Sequence, residues 1–419
     1  MTKKTTAFLI FLIFFIIYYA GSFSKISFGD CIGFVLDVEK REFITSATPL
    51  SHFLYMNTAI FLAKYFSMDS VTVMRFMSVV PGSLTVGLLY LFIKEFIKED
   101  WIAVASSLIF GFGFSFWRSS ETVEVYVFNA LFVVLFLLLS VKSLKTNSLL
   151  NIVLSGFFLG LSFWVHIQNI MLIPAYILLL FYLRKNTKHI ILSFTSFIIL
   201  FAMMFYVNYL NNIELKYTFL TKQGPWVKDT FSQGFMDLVK DLIKAAAYLI
   251  YNFNIFVLFF VSGIIYLYKN YKTEFLFIFV AALFTCGFAT FYAVSDNYVY
   301  FIPFYVIFVV FIGAGIKSLS SKYALKKLKF VPLFIPLFYI VCFYIVSLTP
   351  QGNQFHQKKL YKDGLRYYML PWLNGNTGCI EFTLDHGKAE DNVEALKLAT
   401  KEFIELRQKY QTLEEIREL

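Results

Sequence analysis

The chain has 419 residues, of which 58% are hydrophobic, 20% aromatic and only 15% charged. A soluble domain carries about 25% charged residues, so this composition excludes an ordinary soluble enzyme and places the chain in a bilayer. The formal net charge of +10 is not a nucleic-acid footprint, because the basic residues lie in short loops between apolar stretches, where they set membrane orientation.

A bilayer crossing takes roughly 17–25 residues. The first such run is 6–23. It has no evident small-x-small cleavage site, so it reads as a retained helix rather than a signal peptide. A polar loop, 24–67, follows and carries Asp30, Asp37, Glu39, Lys40, Arg41, Glu42 and His52. Within it, Ser51 to Phe66 is short and amphipathic, which fits a helix on or re-entering the interface better than a span. Further spans are expected near 71–93, 101–117, 125–142, 149–165, 168–183, 190–210, 245–268, 274–293, 299–316 and 330–348. The expected fold is all-α, a polytopic membrane protein of about eleven transmembrane helices with interfacial helices in the first loop. Residues 1–349 form the transmembrane domain. Residues 350–419 form a short tail, loop-like at first and ending in a charged helix.

Lysine and arginine placement fixes the expected orientation. With the N-terminus in the cytoplasm, the inner loops hold Lys3, Lys94, Lys98, Lys142, Lys145, Arg184, Lys269, Lys272 and Lys317. The short outer turns near 117–124, 165–170 and 294–299 hold Arg118 alone. The first loop, the 211–244 loop and the tail then also lie outside. A bacterial inner membrane, with the working face extracytoplasmic, is the expected location.

Ionisable residues at a membrane boundary point to function by default. Asp30 follows the first span and reads as a general base toward a hydroxyl, or as a helix cap. In the mixed run Glu39 to Glu42, which otherwise reads as a solvated face, Arg41 is a phosphate candidate. His52 is either catalytic or a satisfied polar contact. In FSFWRSSETVEVYVFNALF, Arg118 is a second phosphate candidate, and Glu124 and Tyr126 fall inside the apolar boundary. Glu121 reads as a charge at a helix N-terminus. His166, Gln168 and Asn169 interrupt a hydrophobic stretch without Gly or Pro at the turn. Asp296 and Tyr300 open a later span, where Asp296 reads equally as an N-cap.

The four cysteines show no metal or redox spacing; a Cys31–Cys379 disulfide is open if both face an oxidising compartment. No P-loop, Rossmann glycine pattern, HExxH or nucleophile elbow is present. No metal cage stands out, although Asp30 with Glu124 leaves a divalent cation open.

Read together, GDCIGF, TPLSHFLY, FWRSSETVEVYVFNALF, GLSFWVHIQNIMLIPAY and DNYVYFIPFYVIFVVFIGAG resemble, in content and order, bacterial relatives of protein O-mannosyltransferases, within the GT-C class of polytopic glycosyltransferases. The resemblance covers about residues 1–320. It implies a donor of mannose or another hexose on a polyprenyl phosphate, and an acceptor hydroxyl on protein, lipid or glycan. It also implies Asp30 as catalytic base, Glu124 as a characteristic acidic position, His166 as the histidine of the polar turn, and Asp296 as the acid before the Tyr-Phe-x-Pro stretch. The chain departs from the family at Thr48-Pro49-Leu50-Ser51, where a His-Pro-Pro-Gly-type segment is usual. A transporter or lipid flippase is the rival class. It would place charges mid-membrane and show paired broken helices or repeats, whereas here the polar residues gather at one face.

Overall fold

The computed structural model describes residues 2–220, 226–294, 297–320, 323, 325–388 and 393–419, and among them every regular element is helical. Helix α1 (Lys3–Gly21) starts on a Thr2 cap whose hydroxyl accepts from the Thr5 amide at 3.2 Å. It stops at Gly21, where a Cβ would lie 2.1 Å from Glu121 Oε1. The first loop folds into two short helices, α2 (Cys31–Lys40) and α3 (Phe53–Tyr65), and neither is among the spans. The stretch expected to be interfacial is thus a short helix outside the spanning set. Asp69 then caps α4 (Ser70–Ile93), accepting from the Thr72 amide at 2.8 Å.

Eight continuous helices among the described residues are long and apolar enough to cross a bilayer. The expected span 101–117 is instead a bent pair, α5 (Asp100–Gly111) and α6 (Phe114–Glu121), meeting at 64°. The break frees backbone donors that hydrocarbon cannot satisfy. One is met from far away: the Ser115 amide donates to Asn252 Oδ1 at 2.7 Å. Next come α7 (Tyr126–Thr146) and α8 (Leu149–Phe163). The expected spans 149–165 and 168–183 are short apolar helices, Leu149–Phe163 and Ile167–Tyr182, so the count of about eleven is not reproduced as continuous spans.

The helix Ile302–Ser320 is buried almost throughout and forms the axis of the bundle. It meets Phe260–Asn270 at backbone distance: a Cβ on Gly263 would sit 1.8 Å from the Phe311 carbonyl, and one on Gly315 1.9 Å from that of Phe259. Small residues let membrane helices pack this closely, where dispersion replaces the hydrophobic drive. The two ends of the bundle differ in chemistry. At one end Lys94 pairs with Asp100 at 2.7 Å, Lys145 with Glu95 at 3.8 Å, and Lys317 with Glu99. These are the loops grouped by lysine placement. The other end gathers the first loop, the turns after α6 and α8, and the tail.

The tail is not a loose extension. The Leu373 and Asn374 amides both donate to the Gly21 carbonyl at 2.8 Å, and the Cys379 amide to that of Ile26 at 2.9 Å. Arg407, almost wholly buried, reaches Glu39 at 2.9 Å, Asp69 at 2.6 Å and Ser70 Oγ at 2.7 Å. Lys40 pairs with Glu402 at 2.8 Å. The expectation that Glu39 and Lys40 are a plain solvated face is therefore corrected: they are the seat of the tail. No disulfide joins Cys31 and Cys379, and both are buried.

Candidate active site

Asp30 occupies the cap position of α2, yet its carboxylate makes no capping hydrogen bond. The cap reading is thereby removed. The side chain is open to solvent, but the surrounding protein mass raises its carboxyl above the ordinary range by desolvation. The next residue, Cys31, ties this helix start to the turn between α6 and α7: its Sγ lies 3.4 Å from the Val123 carbonyl and 3.7 Å from Thr122 Oγ1. Burial pushes the Cys31 thiol up, and the Glu124 carboxylate pushes it further, with Cys379 and Asp30 adding to the effect. Two carboxylates more than ninety residues apart in sequence thus both act on one thiol. Tyr55, on α3, lies within electrostatic reach of two of the same groups, Glu124 and Cys31. Its hydroxyl is buried near Ser78, and burial followed by the charge of Glu124 raises its pKa.

Beside this pair lies a cluster of rings. His52 and His166 stack with centroids 5.4 Å apart. Tyr126 lies 5.8 Å from His166 and 5.4 Å from Tyr300, and Tyr300 lies 5.6 Å from His166. His52 holds a left-handed backbone, φ 42°, a conformation costing a non-glycine residue roughly 1–2 kcal/mol. The hydrogen bond from its ring offsets that strain: Nδ1 sits 3.1 Å from the Val165 carbonyl. A carbonyl can only accept, so His52 carries its proton on Nδ1 and leaves Nε2 as an acceptor. His166 is the complement. Its Nδ1 accepts from the Gln168 amide at 3.2 Å, so its proton is on Nε2. Burial drives the His52 pKa down to about 4. Burial, then the neighbouring His52, drives His166 well below its usual value. Both rings are neutral at physiological pH. His166 can therefore offer a hydrogen bond to a leaving phosphate but no charge.

Arg118 lines a cleft of about 840 Å³ with Ser115, Asn252 and the tyrosines 248, 251, 298, 367 and 368. Its guanidinium lies 4.3 Å from the Tyr367 centroid, and its Nη1 is buried without a hydrogen-bond partner. Such a donor has unmet capacity for an anion. Tyr367 also packs on Phe28, two residues before Asp30, at 6.4 Å, so the tail-side wall of the cleft reaches the start of the first loop.

The remaining expected positions divide. Asn169 is a brace: its Nδ2 donates to Asn129 Oδ1 at 2.6 Å and to the Ser162 carbonyl at 2.9 Å, fixing the histidine turn against α7. Arg41 is not brought to the cluster. It ends α2 in a left-handed cap, eleven residues and about 16 Å of helix from Asp30, beside Glu39 and Arg407. Asp296 lies outside the described residues. Glu121 is no N-terminal helix charge. It closes α6, is fully buried, and accepts from Trp117 Nε1 at 2.5 Å and the Leu373 amide at 3.1 Å. Among the described residues no three His, Cys, Asp or Glu side chains gather as a metal site. Sequence reasoning missed Tyr55, Tyr248, Tyr367 and Tyr368. In a chain with 27 tyrosines no local signal marks these four.

Residues 47–189 match the family of the N-terminal domain of protein O-mannosyl-transferase TMEM260. That segment contains His52, Arg118, Glu124, Tyr126, His166 and Asn169, whereas Asp30, Arg41 and Tyr300 fall outside it. Among solved structures, the chain is similar to ArnT from Cupriavidus metallidurans bound to undecaprenyl phosphate. The identity is 12% and the TM-score 0.58, over 95% of this chain and 75% of that one. It is also similar to ArnT from the same organism in the apo state, at 13% identity and TM-score 0.57, over 83% of this chain and 66% of that one. The chain thus spans two thirds to three quarters of the length of these structures. No curated protein matches it. The likeness shows the fold alone: a polytopic helical membrane bundle shared with these ArnT structures.

Proposed function

We propose that this protein is a membrane glycosyltransferase that moves a sugar from a polyprenyl-phosphate donor to an acceptor hydroxyl, on the face where the first loop and the tail meet. The observation that carries the proposal is the convergence at one end of the bundle: an uncapped carboxylate of raised pKa, a second carboxylate acting with it on Cys31, and a buried guanidinium with an unmet donor. The family match over 47–189 supports mannose as the sugar and a protein hydroxyl as the acceptor. The fold shared with an ArnT structure that contains undecaprenyl phosphate supports the lipid carrier.

The reaction is a single displacement. Asp30 takes the proton of the acceptor hydroxyl as its oxygen bonds to the anomeric carbon. The bond from that carbon to the phosphate oxygen breaks, and polyprenyl phosphate departs with the electron pair. A carboxylate of raised pKa is a better base near neutrality than an ordinary one. The departing phosphate gains charge, and Arg118 offers its unmet N–H to it. Neutral His166 adds a hydrogen bond from Nε2. Glu124 holds the acceptor or the sugar hydroxyls beside Asp30. An experiment with purified protein, undecaprenyl-phosphate mannose and serine- or threonine-containing peptides tests this. Mannosylated peptide together with undecaprenyl phosphate is the expected product pair. An intact donor across a panel of sugars and acceptors refutes the reading.

A further inference from the structure

The helix Lys272–Phe291 carries a glycine that packing does not explain. A Cβ at Gly287 would meet nothing within 4 Å. This is unlike Gly263 and Gly315, where a neighbouring backbone fills the space. A glycine inside a helix costs roughly 1 kcal/mol relative to alanine, so an unpacked one calls for another reason. Gly287 forms part of an apolar groove of about 770 Å³, with Met171, Phe231, Leu283, Phe284 and Phe288 along its walls and Tyr292 at its end. Leu283 and Phe284 are exposed on the outside of the bundle, which in a bilayer means exposed to lipid. From Leu283 to Tyr292 the helix rises about 13 Å, most of one leaflet's hydrocarbon depth of roughly 15 Å.

The groove does not end blindly. Phe288 stacks on Tyr292 at 4.8 Å, Tyr292 meets Tyr300 at 5.1 Å, and Tyr300 meets both His166 and Tyr126 in the candidate site. An unbroken aromatic wall leads from the lipid-facing side of one helix to the histidine pair. We propose that this groove seats the isoprenoid chain of the donor next to its phosphate, and that Gly287 sets how much chain it can hold. The proposal rests on the glycosyltransferase reading above, with the polyprenyl chain as the one occupant. The continuity with the candidate site and the largely apolar walls, in which the hydroxyl of the one threonine, Thr230, already accepts from the Ala293 amide, favour that occupant over an acceptor peptide, whose backbone polar groups would go largely unmet there.

The test compares two donors, a short water-soluble prenyl-phosphate mannoside and its undecaprenyl counterpart, in the full-length protein. The readout is the ratio of their kcat/KM values. Gly287→Phe fills the groove without meeting a packed neighbour, and should lower the long-to-short ratio by roughly tenfold or more, with Gly287→Ala between it and wild type. Leu283→Trp, on the groove's exposed wall, is a second variant and should shift the ratio in the same direction. An unchanged ratio in both variants, or an equal loss with both donors, overturns the groove as the chain's seat. Failure of the wild type to consume either donor would instead overturn the glycosyltransferase reading itself.

Discussion

At the scale of single residues, the environment of each titratable group assigns its role. Asp30 is raised by desolvation and must be ionised to act as a base. Activity should therefore fall as pH drops through its elevated pKa, so the acid limb of kcat/KM lies above the ordinary carboxylate range of about 4. His52 is pushed down to about 4 and His166 lower than normal, so neither adds a step at the usual histidine value of about 6.5. An acid limb at or below the ordinary carboxylate value would contradict Asp30 as the base. Arg118 makes a separate prediction. Arg118→Gln should raise the KM for the donor by about tenfold or more, and Arg118→Lys should not restore it, because an ammonium lacks the planar fork. Steady-state kinetics over donor concentration checks both. His52 was legible as a polar residue of interest. Its left-handed backbone and its bond to Val165 were not, because the partner is 113 positions away.

At the scale of elements, the first loop is held by the tail as firmly as by the bundle. Arg407 stands between Glu39 and Asp69. Removing one partner from a buried ion pair costs on the order of 3–5 kcal/mol, and the partial exposure of Asp69 puts Arg407→Ala toward the lower end. The expected consequence is release of the tail, measured as faster proteolysis within 350–419 and a lower Tm. Unchanged protection would mean that the contacts around Gly21 and Ile26 hold the tail alone. Glu121 offers a second check: Glu121→Ala strands the Trp117 Nε1 donor, at about 1–3 kcal/mol, while the Leu373 amide keeps the Gly21 carbonyl, and Tm should fall accordingly. The spans were legible because hydropathy is local, and so was the loop grouping from lysine placement. The bend between α5 and α6 was not, since the group that accepts the freed Ser115 amide sits on Asn252. The same limit hid the anchoring of Glu39 and Lys40, whose partners lie more than three hundred and sixty residues on.

At the scale of the whole molecule, the ion pairs of Lys94, Lys145 and Lys317 lie at one end of the bundle and the candidate chemistry at the other. Asp30, Glu124, Arg118, His52 and His166 came into view from sequence because a charge or a histidine beside an apolar span stands out. The tyrosine walls that connect them did not, because aromatic residues are common throughout the chain. Tyr367 and Tyr368 belong to the tail yet wall the Arg118 cleft. Truncation after residue 349 should therefore abolish transfer even where the bundle remains folded. The most direct measurement is undecaprenyl-phosphate mannose turnover by wild type and by Asp30→Asn, at matched levels of folded protein and with a hydroxyl acceptor present. Loss of a general base predicts a drop of about 10²–10⁴ in rate, with Tm unchanged. Full turnover by Asp30→Asn would contradict Asp30 as the base at the centre of this site.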